Sequence, residues 1–190
     1  HNGTRDFSAT EVLVFLARSY DGSGRADEAL EATQTAAQVY RELESHLREL
    51  LALRMAADLT LRFGDYPKTR EHLLRARSLL GADLIHMADY ARESDFRLGR
   101  VELKLDAPER ALEHLNAALA DWPLEGSDFG PRVRAEARIC LAKALELTGS
   151  PEEARHEGES ALGELRAMGI PEEDPLLKGL LDVLGQSGED

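Results

Sequence analysis

The chain has 190 residues, 43% of them hydrophobic and only 5% aromatic, with 23 basic against 36 acidic side chains and a net charge of −13. That length supports a buried core, and a pI near 4.9 argues against broad binding to a phosphate backbone, which relies on clustered Lys and Arg. Leucine and alanine together supply 58 residues while valine and isoleucine total 9, a mixture of helix formers poor in the β-branched residues of sheets, so an all-α protein is expected.

The chain opens His1-Asn2-Gly3 without Met or a basic-then-apolar leader, as expected of a processed form or a fragment with a tag remnant. Ser8 with Glu11 is a start signal for a first helix. The apolar run Val12 to Ala17 is broken by Glu11 and Arg18, far short of the roughly 20 residues a membrane span needs. No membrane association is expected. From here four segments follow one pattern: Leu16-Ala17-x2-Tyr20-x3-Gly24 with Ala29; Ala56-Ala57-x2-Thr60-x3-Gly64-Asp65-Tyr66 with Thr69; Leu98-Gly99 with Asp106-Ala107-Pro108 and Ala111; Leu141-Ala142-x2-Leu145-x3-Gly149-Ser150-Pro151 with Ala154. Seven residues beyond Ala29, Thr69, Ala111 and Ala154 lies a second small residue each time, Ala36, Ala76, Ala118 and Ala161.

Each segment reads as two antiparallel helices joined by a tight turn, with small residues where the helices cross, because interaxial packing of about 8–10 Å excludes large side chains at the closest point. Ser150 with Pro151 and Glu153, and Asp106 with Glu109, have the spacing of a capping box at the start of a second helix. Approximate units are 8–47, 48–81, 82–123 and 130–168, forming one domain over 1–190. Residues 121–131 make the long loop between the last two. After Met168-Gly169-Ile170-Pro171, Leu176, Leu177, Leu180, Leu181 and Leu184 form one helical stripe. A capping helix over 173–185 is expected, since solenoid ends need a cover; the competing reading makes it a dimerisation or partner helix.

These residues resemble a tetratricopeptide repeat (TPR) array over nearly the whole chain. The repeat-equivalent residues are spaced 40, 42 and 43 apart instead of about 34. Other departures are Glu102 in place of the first-helix Tyr, Thr69 for one Ala, and Gly158 for a large residue. The extra residues are expected to lengthen the helices by one or two turns per unit. The resemblance implies a right-handed α-solenoid of about four hairpins plus the C-terminal cap. Long periods of this kind are similar to the sensor or scaffold parts of bacterial transcriptional regulators, including the maltose-activator type, and to the peptide receptors of Gram-positive quorum sensing.

Nothing in the pattern supports catalysis or a cofactor. His46, His72, His86, His114 and His156 form no metal-ligand spacing, and the glycines lie in turns with no phosphate-cradling run. His72 and His114 share one repeat position on second helices, which the resemblance places on the outer side, so both are expected to be solvated. Cys140, alone and flanked by Ile139 and Leu141, is expected to be a buried inert thiol in a reducing, cytoplasmic setting.

Binding is different, because the resemblance implies that first helices line a concave groove. Its groove positions fall on Glu11, Val14, Arg18 and Asp21 in unit one and on Leu51, Arg54, Asp58, Leu61 and Arg62 in unit two. Units three and four contribute Glu93, Phe96, Arg100, Leu103 and Lys104, then Glu136, Ile139, Lys143, Glu146 and Leu147. One position reads Arg18, Asp58, Arg100, Lys143, three cations in an acidic protein. Such a stripe suits an acidic or C-terminal peptide segment; the plain alternative is ion pairing between repeats with Asp58, Glu93 and Glu136. The Asn set of a chaperone-tail carboxylate clamp is absent. The site set is therefore Arg18, Arg54, Asp58, Arg62, Phe96, Arg100, Lys104, Ile139 and Lys143. The expected role is a protein or peptide interaction module. The alternative is the ligand-sensing regulatory part of a larger bacterial protein, with self-association through the last helix as an option.

The acidity is uneven. Residues 101–190 carry 9 basic and 20 acidic side chains, and 150–190 alone carry 3 and 11.

Overall fold

The computed structural model describes residues 14, 16, 17, 20–80, 88–120 and 130–186. Among them there is no strand. A helical turn at residues 20–22 precedes α1 (Ala26–Glu42), α2 (His46–Arg62), α3 (Tyr66–Ser78) and α4 (Ala88–Lys104). These are followed by α5 (Pro108–Leu119), α6 (Pro131–Leu147), α7 (Pro151–Ala167) and α8 (Pro175–Gln186). The fold is an all-α repeat of helical hairpins, as the alternation of small and large apolar residues requires.

The chain divides into two compact units, His1–Leu84 and Ile85–Asp190. In the first, α2 packs on both α1 and α3. In the second, α4 to α8 pack in succession, and α4 also touches α6, so two first helices lie side by side.

One turn closes the described helices at six junctions. Its left-handed residue is Gly24, Glu44, Gly64, Asp106, Gly149 or Gly169, with φ between 52° and 82°. The next residue's N–H then donates back to the helix: Arg25 to Tyr20, Ser45 to Tyr40, Asp65 to Thr60, Ala107 to Glu102, Ser150 to Leu145 and Ile170 to Leu165, at 2.8–3.2 Å. These bonds satisfy carbonyls that a helix end leaves open.

Asp106 is thereby reassigned: it ends α4 and begins no capping box, for the N-cap of α5 is Ala107. Ser150 does sit at the N-cap of α7, yet its hydroxyl makes no capping bond. The caps are elsewhere. Asp65 accepts from the Lys68 N–H at 3.2 Å at the start of α3, and Asp174 from the Leu176 N–H at 2.9 Å at the start of α8.

Where helices of a hairpin cross, Ala17, Ala29, Ala56, Ala57, Ala111 and Ala161 are wholly or almost wholly buried, and so are Leu73, Leu98, Leu115 and Leu165. In the second hairpin the departure Thr69 is answered by Thr60: the Thr69 hydroxyl donates to that of Thr60 at 2.9 Å, and Thr60 donates to the Ala56 carbonyl at 2.9 Å. Both hydroxyls are thus satisfied inside the crossing. In the third, a Cβ on Gly99 would stand 2.5 Å from Leu115 Cγ, so this crossing is closer than alanine allows. In the fourth, a Cβ on Gly158 would meet Leu184 Cδ2 of α8 at 2.9 Å.

Leu177 and Leu180 of α8 are buried with Ala135, Ala161 and Leu165 of α6 and α7, and Leu176, Leu181 and Leu184 pack around them. The leucine stripe is spent on covering the last hairpin. Arg132 pairs with Asp174 at 3.2 Å and adds a polar tie between α6 and the start of α8. As for the long period, α1 and α7 run for 17 residues each, whereas α3 has 13 and α5 has 12. The first helices α2, α4 and α6 also run for 17 residues, so the long period goes with 17-residue helices in every hairpin; beside the shorter α3 and α5, residues 81–87 and 121–129 lie outside the described residues.

Candidate functional site

The two units carry the groove residues separately. In the first, α2 points Leu51, Arg54 and Asp58 to one side, where they meet Val14 from the preceding helical segment around a recess of about 410 Å³. Arg48, Met55 and Tyr40 complete its wall. Four of the expected groove residues thus share one concavity. Arg62 lies exposed one turn on and forms an ion pair with Asp21, so it links successive first helices. Arg18 is outside the described residues.

In the second unit, α4 and α6 bring Arg100, Lys104 and Lys143 to one locality, since all three act electrostatically on the Cys140 thiol. Their side chains are exposed, and the Arg100 guanidinium stands 5.5 Å over the Phe96 ring. Burial pushes the Cys140 thiol up to about 11, a rise that the three cations oppose and Glu136 assists. A thiol raised that far carries little thiolate near pH 7.

Phe96 does not line a groove. It is 5% exposed and belongs to the core with Ala111, Leu115, Ala137 and Leu141, because α4 and α6 are close enough to close over a ring. Leu103 is partly buried against the same cluster. Ile139 and Lys143 border a cavity of about 180 Å³ beneath α8, along with Ala142 and Glu146. Pro151, Ala154, Arg155 and Gly158 of α7 and Leu180 and Leu184 of α8 close it.

Two of the acids expected to pair between repeats make ion pairs within their own helix. Glu93 pairs with Arg97 at 2.7 Å and Glu136 with Arg132 at 3.6 Å, each within its own helix. Further pairs lie away from the expected groove positions. Glu49, fully buried in α2, accepts from Arg41 of α1 and Arg75 of α3, each at 2.9 Å. Burial alone would push its carboxyl up; the Arg75 and Arg41 hydrogen bonds and charges outweigh that and hold it below the usual carboxylate range. In the last hairpin Arg138 bonds Glu157 and Glu164, and Arg134 also reaches Glu164 at 2.9 Å. These partners stand 19 to 30 residues apart except for Arg41 and Glu49, a spacing that carries no local signature.

The shared histidine position is not solvated as expected. His72 is half-buried with Nε2 3.4 Å from Gln34 Nε2 of α1, and His114 Nδ1 lies 3.3 Å from the buried Asp95 Oδ1 of α4. Both rings sit where a second helix meets a neighbour instead of on its outer face; His156 is exposed. Among the described residues no group of three His, Cys, Asp or Glu could hold a metal ion, and no helix is long and apolar enough to cross a membrane.

With this geometry in view, the likeness to solved structures decides the fold. BtubC (BKLC) from P. vanneervenii superposes with a TM-score of 0.73 at 18% identity, over 87% of this chain and 66% of BtubC. The fold is that of TPR-like repeat proteins. The nearly identical TPR-like repeats of a candidate kinesin light chain from Podosopora anserina give 0.72 at 20% identity, covering 95% of this chain and 85% of that one. YrrB, a TPR protein with an unusual peptide-binding site, gives 0.59 at 16% identity, covering 94% and 86%. The chain thus spans just under two thirds of BtubC. No protein-family model matches the sequence, and no curated protein matches it significantly.

Proposed function

We propose that this chain is a protein or peptide interaction module without catalysis, and that its second unit takes an acidic peptide segment along the face formed by α4 and α6. The observation that carries this reading is the convergence of Arg100, Lys104 and Lys143 on one locality in a unit that is otherwise strongly acidic. Arginine and lysine beside one another offer charge-assisted hydrogen bonds to carboxylates, and the excess of acid around them discourages non-specific anions. Support by analogy comes from the peptide-binding site of YrrB. The recess of Val14, Leu51, Arg54 and Asp58 offers the first unit a mixed apolar and charged surface for the same purpose.

The test is fluorescence anisotropy with labelled acidic peptides, free and amidated at the C-terminus, against basic and scrambled controls. Micromolar binding that falls at least tenfold in the Arg100→Glu, Lys104→Glu, Lys143→Glu triple variant, and weakens with added salt, supports the reading. Equal affinity in the triple variant, or no preference for acidic sequences, rejects it. A second reading, the ligand-sensing regulatory part of a larger bacterial protein, draws support from the cavity beneath α8. Self-association through α8 is disfavoured by the burial of Leu177 and Leu180 within this chain.

A further inference from the structure

The fourth hairpin departs from its neighbours at one residue with a spatial consequence. Leu73 and Leu115 occupy the repeat position that Gly158 holds in α7, and both leucines are fully buried. With glycine there, nothing from α7 fills the space beside Ala142, and Leu180 and Leu184 of α8 close over it only in part. What remains is the cavity of about 180 Å³. An apolar cavity of roughly 150 Å³ in another protein core accepts benzene. This one is therefore sized for a single ring or a branched aliphatic chain, well below the roughly 300 Å³ at which drug-sized pockets begin.

The rim is charged in a definite ratio. Lys143 and Glu146 come from α6 and Arg155 from α7, two cationic side chains and one carboxylate around an apolar interior. We propose that the cavity between α6, α7 and α8 is a binding site for a small apolar monocarboxylate, its ring or branched chain against Ile139, Leu180 and Leu184 and its carboxylate at Lys143 and Arg155. Glu146 beside them disfavours dianions. Because two walls belong to α8, an occupant fastens the C-terminal helix to the last hairpin, and binding raises the stability of that end of the chain. This inference does not rest on acidic-peptide binding: it stands on the cavity and its rim.

The probe is 3-phenylpropionate, followed by titration calorimetry and by methyl chemical shifts of Ile139, Leu180 and Leu184, with 3-phenylpropan-1-ol and phenethylamine as neutral and cationic controls. Saturable binding that shifts those methyls, with the alcohol and the amine at least tenfold weaker, is the expected result. Lys143→Gln with Arg155→Gln removes the preference for the acid while retaining the methyl shifts. Gly158→Ala, whose added methyl drives Leu184 into the space, weakens the acid at least fivefold. Equal affinity for all three probes overturns the proposal. So does the absence of methyl shifts at millimolar probe, a measurement on the unmodified protein that does not depend on any variant folding.

Discussion

The third and fourth hairpins solve one packing problem in opposite ways. In the third, the second helix supplies a leucine, Leu115, and the first helix yields to it with Gly99. In the fourth, both positions are small, Ala142 and Gly158, and the bulk arrives from outside the hairpin as Leu180 and Leu184 of α8. Close packing can be met by a partner distant in sequence, but a borrowed side chain seldom fills the space completely, and the remainder is a cavity. The repeat that looks degraded in sequence thus keeps a cavity of about 180 Å³.

Replacing the large residues separates the two solutions most sharply. Leu115→Ala should cost about 2–5 kcal/mol, the range for a fully buried leucine, read as a lower urea midpoint at unchanged slope. Leu184→Ala, at the margin of a space already partly empty, should cost only about 1 kcal/mol. Equal losses would mean that α8 packs on the last hairpin as tightly as the third hairpin packs on itself. Gly99→Ala comes between them: overpacking of about 1–3 kcal/mol against the fully buried Leu115 is offset by about 1 kcal/mol of regained helix propensity. A variant more stable than the parent would show that Leu115 can retreat, and that the glycine is not demanded by the crossing.

The smallest effect concerns the histidine position that the second and third hairpins share. Burial first, and Lys68 after it, hold the His72 imidazole below its ordinary 6.5, although Glu71 and Asp65 pull it up. A depressed folded value means that the protein favours neutral His72. The stability it contributes is present above pH 6.5 and drains away as pH falls through the lower folded value. His72→Gln should flatten that part of the stability profile by a few tenths of a kcal/mol, measured by urea titration between pH 7.5 and 5. An unchanged slope would place the acid sensitivity elsewhere, with Glu49 the next candidate.

Much of the architecture was legible in advance because it repeats. Ala29, Ala111 and Ala154 mark crossings wherever they recur, the glycines at 24, 64 and 149 mark turns, and the Leu176 to Leu184 stripe marks the end of the array. Features that depend on pairings across helices were not. Asp106 looked like a cap because Asp is common there, but the turn needed a left-handed residue at that point and Asp tolerates it. Phe96 read as a groove side chain from its position, and only the approach of α4 to α6 turns it inward. Glu49 gave no sign of burial, since its partners come from the preceding and following helices. Gly158 was visible as a departure, yet its meaning depended on where α8 lies. Of the basic set, Arg100, Lys104 and Lys143 each act on the Cys140 thiol, whereas Arg62 is engaged with Asp21.

The six identical helix endings bear on how the chain reaches this form. Each closes through a bond from one residue to another only five positions back, so each can form before distant segments meet. Most helix contacts are likewise between consecutive elements. Chains dominated by such short-range closures fold in microseconds to milliseconds, and structure begun at any one turn can spread to its neighbours. Within each unit local hairpins need no distant partner, whereas α8 docks on a surface that exists only once α6 and α7 have met.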